Sequence, residues 1–167
     1  MYEGELRELI LRAKQAANQP LAAALAELLF FTQGDAIKEA KCDIIVPVPM
    51  HWRRRWQRGV NHAETMSAEL GRKLRLPVRR ALRRVVPTVP QGGLSAAERQ
   101  TNVRGAFVPR RLSPIRNRCV LLVDDIVTTG ATCLEASRVL RAAGAKDVVL
   151  GVISRADRPI PQSRNRL

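Results

Sequence analysis

Apolar residues recur at two different spacings along this chain, and the switches between them set out an order of helices and strands. Leu6, Leu9, Ile10 and Ala13 repeat every three or four residues, which predicts an amphipathic helix over residues 5–17. Pro20 opens a second, more apolar helix expected to run to about Phe31. The spacing then changes. Cys42 to Val48 is a short apolar run with Pro47 and Pro49 at its close, which predicts a buried strand. Asn61 stands where a helix N-cap is expected, with Glu64 three residues on as in a capping box, and Ala63, Met66, Leu70 and Leu74 form the inner face. Pro77-Val78 begins a short extended piece. Residues 86–102 hold Pro87, Pro90, Gly92 and Gly93 and then a polar run, so a long loop is expected there. Long loops inside compact domains are usually functional lids.

Strands are expected at 103–108, 118–124 and 147–153, and a helix from about Ala131 to Gly144 with Leu134, Val139 and Leu140 on one side. Such an order implies an α/β fold, a mostly parallel central sheet flanked by helices, with ligands at the carboxyl ends of the strands. One domain is expected over 1–154, followed by a basic, Pro- and Arg-rich tail over 155–167 that should fray. No internal repeat is present.

Length and composition agree with one soluble domain of 167 residues, 46% hydrophobic and 26% charged. No apolar run approaches the roughly 18 residues needed to span a membrane, and no signal peptide opens the chain, so a cytoplasmic protein is expected. Cys42, Cys119 and Cys133 are odd in number and widely spaced, and read as buried thiols instead of a disulfide set or a zinc site. Charge changes the picture more. Lys and Arg total 29 against 15 Asp and Glu, a net +14, and arginine dominates. Such a surface attracts polyanions, and arginine suits bidentate phosphate contacts.

The chemistry concentrates at 120–132, Val-Leu-Leu-Val-Asp-Asp-Ile-Val-Thr-Thr-Gly-Ala-Thr. An apolar strand, a small polar turn and a helix N-terminus make a ready anion site, because unpaired N–H groups and the helix dipole both favour phosphate. Gly130 lets the backbone approach closely, and Thr128, Thr129 and Thr132 add hydroxyl donors beside Ala131. Asp124 and Asp125 would repel a phosphate. They suit vicinal hydroxyls, a metal ion, or both, and a sugar phosphate satisfies the whole set. Two helix-capping aspartates would need no threonine-glycine turn after them. A Walker-type reading fails because the chain has no G-x-x-x-x-G-K-[ST].

This segment resembles the phosphoribosyl-pyrophosphate (PRPP) loop of type I phosphoribosyltransferases. The resemblance implies that fold, with Asp124 and Asp125 on the ribose hydroxyls, Thr128 to Thr132 on the 5′-phosphate, and Mg²⁺ bridging sugar and pyrophosphate. It also implies a pyrophosphate-gripping loop after the first strand, where Met50, His51, Arg53 and Arg58 stand. Within that fold the chain resembles the ComF family, also called GntX-like or competence-protein-F phosphoribosyltransferases. The matching stretches are Val46 to Trp52 with Arg58 to Glu64, then Pro90 to Ser95 with Glu98-Arg99 and Asn102 to Phe107, and the PRPP loop itself. By analogy, residues 87–104 form a loop that closes over PRPP, with Arg99 and Arg104 stabilising departing pyrophosphate and Gln91 and Asn102 orienting it.

Val60 and His62 depart from the family, which usually has Phe and Gln there. Most members carry an N-terminal cysteine-rich zinc module, and this chain begins after the point where it would end, so no zinc is expected in it. Two function classes stay open. One is transfer of ribosyl-5-phosphate to an unknown acceptor with release of pyrophosphate. The other is a non-enzymatic competence factor binding single-stranded DNA, in which Trp52 and Trp56 among the arginines of 53–58 stack bases and the PRPP site is regulatory or vestigial. The DNA-uptake machinery is then a candidate partner. A dimer is admissible, and nothing in the chain sets the oligomeric state.

Overall fold

The computed structural model describes residues 19–50, 60–86, 96–111, 114–127 and 130–155. In chain order these form α1 (Gln19–Glu39), β1 (Ile44–Pro47), α2 (His62–Leu74), β2 (Leu82–Arg84), α3 (Ala96–Val103), β3 (Phe107–Pro109), β4 (Cys119–Val127), α4 (Ala131–Ala142) and β5 (Asp147–Arg155). The helix expected at 5–17 and all but the first residue of the tail expected at 155–167 lie outside the described residues.

β4 is the middle strand of a three-stranded sheet, with β1 on one side and β5 on the other, both parallel to it. A parallel bridge between Ile45 and Val78 lays the Pro77-Val78 piece along the outer edge of β1. Val120, Leu121, Leu122 and Val123 are all fully buried, as a strand covered on both faces requires. Alternate residues serve opposite layers. Val120 and Leu122, with Ile44, Val46 and Val48, pack on Ala136, Val139 and Leu140 of α4 and on Leu82 and Phe107. Leu121, Val123 and Ile45 pack on Leu25, Ala26 and Leu29 of α1 and Met66 and Leu70 of α2. The sheet is thus a filling between α4 with the β2–β3 pair on one face and α1 with α2 on the other.

Several boundaries differ from the expectation. The helix begun at Gln19 passes Phe31 and continues to Glu39, because Ile37 is buried with the same cluster as Leu29. The polar run inside the expected loop is helix α3, and Val103, expected in a strand, is its buried last residue. After it Gly105 turns the chain at φ +69° into β3, which pairs antiparallel with β2, a strand the spacing did not announce. Asn61 does cap α2, but by position: its side chain makes no capping bond, and Glu64 pairs instead with Arg80 at 2.7 Å. Leu134 is 61% exposed and does not join Val139 and Leu140 in the core. Cys42 and Cys133 are buried as expected, whereas Cys119 is half-buried and touches Cys42. The end of α4 matches closely. Gly144, at φ +98°, donates to Arg141 O and Ala145 to Leu140 O, a Schellman cap.

Gly71 marks where α2 crosses the Pro77-Val78 piece. A Cβ there would stand 2.7 Å from Val78 Cγ2 and 3.0 Å from Leu76 O. Gly71→Ala should therefore lower the unfolding free energy by about 1–3 kcal/mol through overpacking, net of the ~1 kcal/mol alanine gains in helix propensity. Urea denaturation of the two proteins checks this, and an equal or higher midpoint for the variant would contradict the packing described.

Candidate functional site

The strands of the sheet do not end together. Pro47 is the last residue of β1 in register, opposite Val123, and Val48 N–H still donates to Val123 O at 2.9 Å. There β1 leaves the sheet, while β4 runs on beside β5 with Asp124 opposite Val152 and Val127 opposite Arg155. The expected acidic pair therefore lies within the strand, not past its end, and Asp124 is the first β4 residue beyond the β1 pairing. Asp124 is half-buried, and its Oδ2 accepts from Cys133 Sγ at 3.7 Å, so its carboxylate lies against the first turn of α4. Asp125 follows it in the strand backbone.

Thr128 and Thr129 lie outside the described residues. Gly130 caps α4 at φ +76°, a left-handed conformation that suits glycine, and Leu134 N–H donates to Gly130 O at 2.8 Å. A glycine cap brings no side chain to the helix start. Ala131 is buried and Thr132 half-buried in that first turn. The positive end of the helix dipole thus faces the crevice beside Asp124.

Met50, half-buried just after β1, lines a cavity of about 420 Å³ with Pro47, Pro49, Leu82 and Val85. Among the described residues its charged wall is Arg80, Arg83, Arg84 and Arg110 against one carboxylate, Glu64, which Arg80 engages. Arg84 also lies over the Phe107 ring, 5.3 Å from its centre. Sequence reasoning missed these arginines. The signal was available in Arg79-Arg80-Ala81-Leu82-Arg83-Arg84, where Ala81 and Leu82 are buried and carry the basic residues on a fixed strand. The floor of this region is pinned: Asn61 Nδ2 donates to Val48 O at 3.2 Å in a buried bond that ties the start of α2 to the end of β1. His62 beside it is buried and Val60 half-buried. His51, Arg53, Arg58 and Gln91 lie outside the described residues.

On the other side of α4 runs an open groove of about 840 Å³ that includes Thr101, Arg104, Ala131, Leu134, Glu135 and Arg138. Arg99 belongs to α3, half-buried Asn102 stands near its end, and exposed Arg104 follows it. Arg104 and Ala131 thus share one groove, while Met50 belongs to the arginine cavity. Buried Glu135 holds the junction. Its Oε1 accepts Gly105 N–H at 2.9 Å, and its two oxygens accept from Arg138 at 2.8 and 2.9 Å. Arg138, above all, and Gly105 N–H hold the Glu135 carboxyl below the usual carboxylate range, against the opposing effect of burial.

Among the described residues no group of three His, Cys, Asp or Glu side chains is arranged to hold a metal ion, and no helix is long and apolar enough to cross a membrane. A carboxylate beside a helix start suits a ligand with hydroxyls and a phosphate, and the separate arginine cavity suits further phosphates.

Residues 15–165 match the family model described as a phosphoribosyl transferase domain. Competence protein F of Haemophilus influenzae is 36% identical over 162 residues, which cover 93% of this chain and 70% of that protein. DNA utilization protein YhgH of Escherichia coli K12 is 34% identical over 158 residues, covering 92% of this chain and 69% of that protein. Among solved structures, a purine phosphoribosyltransferase from Pyrococcus horikoshii superposes with a TM-score of 0.52 at 15% identity, covering 83% of this chain and 80% of that one. The glutamine PRPP amidotransferase of Bacillus subtilis gives 0.51 at 19% identity, over 80% of this chain and 26% of that one. At such identities these two establish the fold.

Glu135 couples the end of α3 to α4, and its depressed pKa sets a pH signature. A carboxylate held low in the folded state contributes stability that is present above its unfolded pKa and lost as pH falls through the folded value. Glu135→Ala should lower stability by about 1 kcal/mol at neutral pH. The gap in melting temperature between the two proteins should narrow as pH falls below about 4.5. Thermal scans between pH 3 and 8 check both, and a gap constant with pH would rule out the ionised pairing.

Proposed function

The chain belongs to the phosphoribosyl transferase domain family, in the branch named for competence protein F, and from that premise we propose that it binds PRPP with Mg²⁺ at the carboxyl edge of its sheet and transfers ribosyl-5-phosphate to an acceptor. The observation that carries this reading is the step where β4 outruns β1, which sets Asp124 against the glycine-capped start of α4. There Asp124 and Asp125 hold the ribose 2′ and 3′ hydroxyls. Residues 128–132 hold the 5′-phosphate with backbone N–H groups and threonine hydroxyls. Met50, His51, Arg53 and Arg58 grip the pyrophosphate.

Magnesium fits this donor set, because it takes one or two carboxylates and completes its shell with substrate phosphates and water; bound there, it would neutralise the pyrophosphate. The chain's own groups do the rest. Charge separates as the C1–pyrophosphate bond breaks, leaving an oxocarbenium-like sugar and a departing polyanion. Arginines fixed in place stabilise that polyanion as its charge grows. Arg99 and Arg104 reach it from the lid side, with Gln91 and Asn102 orienting it, and Arg83 and Arg110 raise the potential from the cavity. Hydroxyls held by the acidic pair fix the ring while the acceptor attacks, so positioning supplies much of the rate. PRPP is an intracellular metabolite, so this reading includes a cytoplasmic location. The relatives' names, competence protein F and DNA utilization protein, support a link between this activity and the use of DNA.

The net charge of +14 favours a second reading, a binding protein for single-stranded DNA in which the PRPP site is regulatory. Release of pyrophosphate from PRPP in the presence of a nucleobase or amine separates the two, since the binding reading gives none.

PRPP with Mg²⁺ at a hundredfold excess over its Kd should raise the melting temperature by roughly 5–10 °C, and Asp124→Asn with Asp125→Asn should remove most of that shift while leaving the unliganded protein folded. Differential scanning fluorimetry reads both. An undiminished shift in the double variant would place the sugar elsewhere.

A further inference from the structure

The amino ends of β1 and β4 carry two cysteines that the site chemistry leaves unused. Cys42 directly precedes Asp43 and β1, Cys119 opens β4, and the parallel pairing sets Cys119 beside Asp43, the neighbour of Cys42. Asp43 N–H donates to Cys119 O at 2.8 Å, and Cys119 N–H donates to Asp43 Oδ2 at 2.8 Å. The two backbones are therefore fixed where the side chains meet. The sulfurs lie 3.6 Å apart, with Cys119 Sγ also 3.7 Å from Ala40 O. A disulfide bond is about 2.05 Å long, so closure needs about 1.5 Å of approach, within the reach of small side-chain rotations. Paired thiols elsewhere often hold zinc, but among the described residues no third ligand completes such a set.

We propose that Cys42 and Cys119 are an oxidative modification site, closing reversibly to an intramolecular disulfide that joins β1 to β4 at the edge of the sheet opposite Asp124. The oxidant is a small-molecule disulfide such as oxidised glutathione. Cys119, half-buried, meets it first: its thiolate attacks one glutathione sulfur, the glutathione S–S bond breaks, and one glutathione leaves carrying the proton that Cys119 lost. Cys42, buried at 8% exposure, then attacks the Cys119 sulfur of the mixed disulfide as a thiolate. The second glutathione leaves with the Cys42 proton. Two protein thiols are oxidised, and one glutathione disulfide is reduced to two thiols.

The second step is the slow one. Burial, first, pushes the Cys42 thiol up to about 12, with further contributions from Cys119 and from the Asp43 and Asp147 carboxylates that face it. Ring closure should therefore accelerate as pH rises, since thiolate is the attacking species. The closed ring runs from residue 42 to residue 119. It restrains a long stretch of the unfolded chain, so the oxidised protein should be the more stable.

The test is incubation of the full chain with oxidised glutathione, alkylation of remaining thiols, and mass spectrometry of tryptic fragments. Cleavage after Lys41 and Arg118 releases Cys42 and Cys119 on separate fragments, and the second also contains Cys133. Cys119→Ser, Cys42→Ala and Cys133→Ser are therefore run in parallel. The expected result is a cross-linked pair of fragments in the wild type and in Cys133→Ser, absent from the other two. Ring closure should speed up across pH 7–10, and the melting temperature should rise by several degrees and return on reduction with dithiothreitol. A glutathione adduct on Cys119 that never closes, cross-links between chains, or a link that survives Cys119→Ser would each overturn the proposal.

Discussion

The parallel pairing of β4 with both neighbours is the constraint on which the rest of the molecule depends. A strand buried on both faces must satisfy every backbone group within the sheet, and its side chains must be apolar on both sides. Val120 to Val123 meet that demand and are fully buried between the two helix layers. Both hydrophobic clusters draw on this one strand, so α4 on one face and α1 with α2 on the other are positioned by the same four residues. Where β1 ends, the demand relaxes on one side only. The next residue of β4 can then be charged, and it is Asp124. The change from buried apolar to half-buried charged takes place between two consecutive residues of one strand.

That transition was legible in the sequence, because a run of four apolar residues followed by two carboxylates and a threonine-glycine turn has few other physical uses. The parallel sheet, its flanking helices and the Gly144 cap were legible for the same reason, each resting on strong local signals. What escaped notice was held together by distant contacts. Among the described side chains of α3, Val103 is the one fully buried apolar residue, which is too little to give a period. β2 is three residues long and two of them are arginine, so only its pairing with β3 makes it a strand. Leu134 had the right spacing for the core, yet it faces the groove beside Arg104, because α4 turns its Ala136, Val139 and Leu140 face to the sheet. The Asn61–Glu64 pattern misled in another way: each side chain found a better partner across space, Val48 O for one and Arg80 for the other.

The excess of positive charge is also better understood in place than in sum. On α4, Arg138 and Arg141 are matched to Glu135 and Asp147. Around the arginine cavity, among the described residues, one carboxylate faces four guanidiniums. Part of the imbalance that the composition records is therefore gathered near the carboxyl end of β1. A field focused there attracts a polyphosphate ligand before any specific contact is made.

The bond from Asn61 to Val48 O has a consequence for how this family can vary. It fixes the two ends of the segment between β1 and α2 within hydrogen-bonding distance of each other, whatever path the intervening residues take. Once the ends of a loop are held, its length enters the free energy only logarithmically, and doubling it costs about 0.6 kcal/mol. Added length between Val48 and Asn61 therefore costs the sheet little. The loop expected to grip the ligand can thus change in length at little cost to the fold, and the residues that hold its ends together are the ones such change must spare.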